Sequence, residues 1–122
     1  MHEMSLMESV REIVDEAARA NGATRVAVVR LQIGALATVV PEALRFAFDV
    51  VMKGGCAERA TLEIEHVPGV AWCWDCSASV TLAAGALVCP QCTGHRLEIT
   101  GGTEMRVSEI DLAQEEEVAT CA

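Results

Sequence analysis

Tyrosine is absent from the 122-residue chain, and two phenylalanines and two tryptophans are its only aromatic residues. Such a chain offers few platforms on which single-stranded nucleic acid can stack. Positive charge is equally scarce. Nine lysines and arginines stand against eighteen aspartates and glutamates, a formal net charge of -9, which repels phosphate backbones and anionic lipid and attracts cations or basic protein surfaces. No apolar run approaches the ~18 uninterrupted residues of a membrane-spanning helix, and the first residues are acidic and amphipathic where a secretion signal is basic and then apolar. Neither nucleic acid nor membrane is therefore an expected partner, and the expected protein is soluble and cytoplasmic. A chain of this length holds one compact core, or a small core with a metal-held module, and falls short of two ordinary domains.

Cysteine is plentiful by comparison. Six cysteines without a secretion signal point to metal ligation or redox chemistry more than to a disulfide framework. Cys73 and Cys76 form one CxxC, Cys89 and Cys92 a second twelve residues on, while Cys56 and Cys121 stand apart with no partner in sequence. Two such knuckles make a tetrahedral four-thiolate site that suits Zn2+, whereas a hard ion such as Mg2+ wants oxygen. A redox CxxC of the thioredoxin type occurs singly at a helix start, so the pairing argues for metal. A coordinatively full site of this kind is a structural staple. His95, three residues past Cys92, is placed to exchange with a cysteine or to lie beside the ligands.

Periodicity supplies the scaffold. Met4, Leu6, Met7, Val10, Ile13, Val14, Ala17 and Ala18 trace one stripe of an amphipathic helix over about 5–20, with Ser5 and Glu8 as a capping box and Asn21-Gly22 as the stop. Residues 25–33 read as a strand with Ala27, Val29, Leu31 and Ile33 on one face. Pro41 opens a second helix with Leu44, Ala47, Phe48 and Val51 inward, ended by Gly54-Gly55. Residues 61–67 alternate as another strand, with His66 on the face of Leu62 and Ile64. After the cysteine region, 97–99 and 104–112 read as strand, and the apolar phase switches between Val107 and Ile110. The expected fold class is α+β: two helices packed on a small mixed three-stranded sheet, with an inserted zinc-ribbon-like module of short hairpins.

The first residues, MHEM, carry a further arrangement. The Met1 amine, the His2 backbone amide and the His2 imidazole are joined by short covalent paths and can close consecutive chelate rings on one ion. The amide or carboxylate of Glu3 is a candidate fourth donor. Nitrogens in one plane suit Ni(II) or Cu(II) in a square-planar or tetragonal geometry, and zinc much less. The arrangement requires a free amine on Met1.

Taken together, MHEMSL, RLQIGAL, VVPEALRFAFDVV, LEIEHVP, the two CxxC pairs and EITGGTEMRVSEIDL resemble, in order and from residue 1 to about 112, the HypA/HybF family of hydrogenase maturation factors. The resemblance implies a nickel metallochaperone, not an enzyme. It implies a transient Ni2+ held by Met1, His2 and Glu3 and a structural Zn2+ held by Cys73, Cys76, Cys89 and Cys92. It also implies a discontinuous nickel-binding α+β domain over 1–68 and 96–113 and a zinc-binding domain over 69–95. Residues 114–122 are left as a mobile acidic tail. The implied partners are the GTPase HypB and the large-subunit precursor of a [NiFe]-hydrogenase, and the expected state is a monomer or weak homodimer. Ser77 and Thr93 follow Cys76 and Cys92 where some members carry histidines, so only His95 remains to couple the zinc site to pH. The competing readings are a zinc-ribbon adaptor or nucleic-acid-binding module, opposed by the charge, and a hydrolase using His66 or Glu3, for which no nucleophile is evident.

Overall fold

The computed structural model describes residues 3–113. Met1, His2 and the segment 114–122 with Cys121 lie outside the described residues. The element order is α1 (Glu3–Ala20), β1 (Val26–Gly34), α2 (Pro41–Val51), β2 (Thr61–Val67), β3 (Gly69–Cys73), β4 (Ala78–Leu82), β5 (Leu97–Gly101) and β6 (Met105–Leu112). Two compact units divide the chain. The first takes its described residues from the ranges Met1–Leu31, Thr38–Ile64 and Arg106–Ala122, the second from Gln32–Ala37 and Glu65–Met105.

The first unit buries the centre of the stripe that the sequence periodicity marks out, while Met4 and Ile13 at its margins are exposed. Met7, Val10, Val14 and Ala18 of α1 and Leu44, Ala47 and Phe48 of α2 are enclosed, with Val26, Val29 and Leu31 of β1 and Leu62 of β2. The helix α1 starts at Glu3, earlier than expected, so Ser5 lies within the first turn and the Ser5–Glu8 capping box is not what initiates it. An acidic side chain in the first turn already favours the positive end of the helix dipole, and the Glu3 carboxylate also accepts a hydrogen bond from the Val40 amide at 3.1 Å. The helix ends as expected: Asn21 and Ala23 amides return to Ala17 and Ala18 carbonyls, and Gly22 takes φ +66°.

Val40 precedes α2 and Pro41 opens it without any side-chain cap. At its other end the α2 carbonyls are satisfied from outside. Arg11 of α1 donates through Nη1 to Val51 O (2.7 Å) and Lys53 O (3.2 Å) while its Nε lies 3.3 Å from Asp15. Arg11 therefore ties the two helices together at the negative end of α2. The strand order is β2-β1-β6, and Arg30 on the central strand reaches Glu63 on one neighbour (2.8 Å) and Asp111 on the other (3.0 Å). Along β6 the half-buried positions are Met105 and Val107, then Ile110 and Leu112, so the alternation changes phase between Ser108 and Glu109. Cys56, isolated in sequence, is disulfide-bonded.

The second unit is built on the antiparallel sheet β4-β3-β5. β3 and β4 form a hairpin in which Ala71 faces Val80 and Cys73 faces Ala78. On the other edge Ala71 faces Ile99 and Cys73 faces Leu97, with a register shift between Val70 and Ala71. Glycine is required where backbones meet. A β-carbon on Gly34 would overlap the Gly102 carbonyl, and one on Gly102, which holds φ +97°, would overlap the Cα of Gly69. The Leu36 amide donates to that Gly102 carbonyl at 2.8 Å.

Candidate metal centre

The first cysteine pair spans the β3–β4 turn, and the second lies in the connection from β4 to β5. Ala71, Cys73, Val80, Leu82 and Cys89 are the buried core of the second unit, so two of the five core side chains are thiols. The four Sγ atoms of Cys73, Cys76, Cys89 and Cys92 all lie within 4.8 Å of one another, with Cys73–Cys92 at 3.6 Å and Cys76–Cys89 at 3.8 Å. Zinc–sulfur bonds of about 2.3 Å in a tetrahedron place sulfurs about 3.8 Å apart. A disulfide would need about 2.05 Å, and all four are free thiols. The residues present therefore fit a four-coordinate zinc ion.

Backbone amides shape the knuckles. The Gln91 amide points at Cys89 Sγ at 3.4 Å, the Thr93 amide returns to Cys89 O at 2.9 Å, and the Cys89 amide donates to Gly94 O at 2.9 Å. Burial pushes the Cys89 thiol up, but the amides of Cys92 and Gln91 outweigh it and bring the group down to about 7. Cys76 moves the other way, up to about 12, through its hydrogen bond with Cys73 and through burial. At Cys92 the Gly94 amide lowers the thiol, yet burial and the neighbouring Cys73 and Cys89 sulfurs leave it raised. Without a cation, adjacent thiolates repel, so the metal-free cluster holds protons on Cys76 and Cys92 at neutral pH. Zinc binding should release at least these two protons near pH 7. The sign follows: retention falls as pH drops, because protons compete with the metal for the same sulfurs. Calorimetry in buffers of different ionisation enthalpy measures the number, and a value clearly below two would refute this ordering.

Each knuckle ends on a residue in left-handed backbone, Ser77 at φ +53° and Thr93 at φ +59°. A β-branched residue is strained there, and the one contact of the Thr93 side chain that offsets this is its hydroxyl donating to Cys92 O at 2.6 Å. Replacing Thr93 with glycine should stabilise the zinc-loaded unit by about 1 kcal/mol and slow zinc loss to a chelator. A faster loss would show that the hydroxyl contact outweighs the strain.

Of the other residues marked by sequence, His95 is exposed and does not belong to the sulfur cluster. His66 is exposed near the end of β2. Glu3 is described, and its carboxylate is directed to the Val40 amide, whereas Met1 and His2 lie outside the described residues. Sequence reasoning missed the brace behind the knuckles: Arg96 Nε pairs with Asp75 at 2.8 Å, joining the first knuckle to the approach to β5. Gly94 allows this, since a β-carbon there would strike the Asp75 carboxylate. The two tryptophans flank Cys73, with ring centroids 5.9 Å apart at 77°, and Trp74 Nε1 donates to Glu98 at 3.3 Å. No helix among the described residues is long and apolar enough to cross a membrane.

Comparison with known proteins matches residues 1–112 to a family described as hydrogenase/urease nickel incorporation, metallochaperone, HypA. The hydrogenase maturation factor HypA of Azoarcus sp. (strain BH72) is 55% identical over 112 residues, covering 92% of this chain and 98% of that protein. The protein of the same name from Rhodopseudomonas palustris (strain TIE-1) is 50% identical over 112 residues, covering 92% and 99%. Among solved structures, the solution structure of the nickel metallochaperone HypA from Helicobacter pylori superposes with a TM-score of 0.67 at 27% identity, covering 94% of this chain and all of that one.

Proposed function

Since the chain belongs to the HypA family of hydrogenase/urease nickel-incorporation metallochaperones, we propose that it takes up Ni(II) at its N-terminus and passes it to the large-subunit precursor of a [NiFe]-hydrogenase. The observation that carries this reading is the reach of the family match, which begins at residue 1 and so includes His2. Nickel is the cargo. Its donors are the Met1 amine, the His2 amide and imidazole, and a fourth donor from Glu3. The contact of the Glu3 carboxylate with Val40 supports the backbone amide of Glu3 as that fourth donor. Planar nitrogen ligation leaves axial positions open, so an incoming ligand can remove the ion stepwise.

The four cysteines hold zinc as a resident structural ion in the second unit, which gives a rigid body for protein docking. HypB is the GTPase with which the chain works, in the cytoplasm. The division of labour is nickel with the helical unit and zinc with the cysteine-bearing one. In cells that make a [NiFe]-hydrogenase but lack their own member of this family, the chain should restore hydrogenase activity and the His2→Ala chain should not. Full restoration by His2→Ala would overturn the assignment of that residue, and failure of the unaltered chain would overturn hydrogenase delivery.

A further inference from the structure

The helix α2 carries two apolar faces where one suffices for its packing. Leu44, Ala47 and Phe48 are buried, yet Phe46 is 65% exposed and Val50, one turn on, is 40% exposed. Across from them Met4 of α1 is 40% exposed. These side chains line two adjoining depressions between α1 and α2, of about 390 and 700 Å³, which share Met4. Both are open along one side and do not enclose a small molecule as a ligand pocket does.

The rim is acidic, and the two arginines nearest to it are already used. Glu8 and Glu12 of α1 line the second depression, with Asp15, and form no ion pair among the described residues. Asp49 is exposed on α2 between Phe46 and Val50 in sequence. Arg11 is committed to Asp15 and to the α2 carbonyls. Arg45, the one basic residue of α2, turns away to donate to Leu62 O at 3.0 Å. An apolar floor with uncompensated carboxylates at its edge matches a partner of the opposite pattern.

We propose that the α1–α2 groove, floored by Met4, Phe46 and Val50 and edged by Glu8 and Glu12, docks a basic amphipathic helix of another protein. Such a helix lays its apolar stripe on Phe46 and its lysines or arginines against the carboxylates. Anionic lipid is repelled by the same rim. The surface exists independently of the nickel assignment. Under that assignment it sets the partner beside the nickel-bearing end, since Met4 follows His2 by two residues.

The test uses nickel-free, zinc-loaded protein and two synthetic peptides about four helical turns long, one patterned from leucine and lysine, the other with every lysine replaced by glutamate. The lysine peptide should bind with amide shifts confined to α1 and α2, and binding should weaken in high salt. Phe46→Ala should weaken it about tenfold or more, and so should Val50→Glu, while helical content and nickel binding stay unchanged because both positions are exposed. Equal binding of the glutamate peptide, shifts elsewhere, or wild-type affinity in both variants would overturn the proposal. Self-association abolished by Phe46→Ala would overturn it in favour of a second copy of this chain. Loss of nickel binding by His2→Ala with peptide binding intact separates the two assignments.

Discussion

Serine in place of Cys89 should cost the protein its zinc and, with it, the folded second unit. The side chain is fully buried, and with Cys73 it makes up two of the five core members there. The aliphatic members are Ala71, Val80 and Leu82, and each of the larger two contributes only about 1.5–3 kcal/mol on burial. Zinc binding, on the order of 10 kcal/mol or more, exceeds what either of them supplies. Both tryptophans flank Cys73, so their fluorescence reports this unit directly, and the chain has no tyrosine to obscure it. The expected result is zinc falling from one ion per chain to less than a tenth of that, with a red-shifted tryptophan emission. His95→Ala should retain full zinc, because that side chain stands outside the sulfur cluster. Stoichiometric zinc in Cys89→Ser would refute the four-cysteine assignment.

Acetylating the Met1 amine should abolish tight Ni(II) binding while leaving zinc untouched. The chelate proposed for the N-terminus starts from a primary amine. Converting it into an amide removes its basic lone pair and leaves no free amine within chelate reach of the His2 imidazole. His2→Ala, which keeps the amine and removes the imidazole, should lose affinity by a different route. Titration of Ni(II) into the unaltered, acetylated and His2→Ala chains, followed by visible absorption of the planar ion, distinguishes them. Unchanged affinity in the acetylated form would remove the amine from the ligand set.

Local patterns carried most of the scaffold. The stripe from Met7 to Ala18, the Pro41 helix start and the alternation of 61–67 are each set within a few residues, and the structure forms elements there. Cysteine spacing was equally legible, since two CxxC turns leave sulfur few other arrangements. What periodicity could not supply is pairing between distant segments. Residues 97–99 read as strand, but the extension to Leu97–Gly101 and its place beside β3 rest on register with Ala71 and Cys73. The early start of α1 was hidden for the same reason, because the Glu3 carboxylate finds its partner at Val40, distant in sequence. Phe46 is the instructive case: a helical wheel places it off the buried stripe without saying whether anything else covers it. The N-terminal donor set was legible as chemistry, and the nickel site proposed there rests on family membership.

The strand order β2-β1-β6 has a consequence for how the protein is born. Its central strand precedes one neighbour, β2, and the other neighbour, β6, is the last element among the described residues. On the ribosome β1 must therefore wait for β6, with one edge open, while everything between them is synthesised. The cysteines and β5 all emerge before β6. The four sulfurs of the cluster are thus present on the nascent chain while the helical unit still lacks a strand, so the second unit can close before the first.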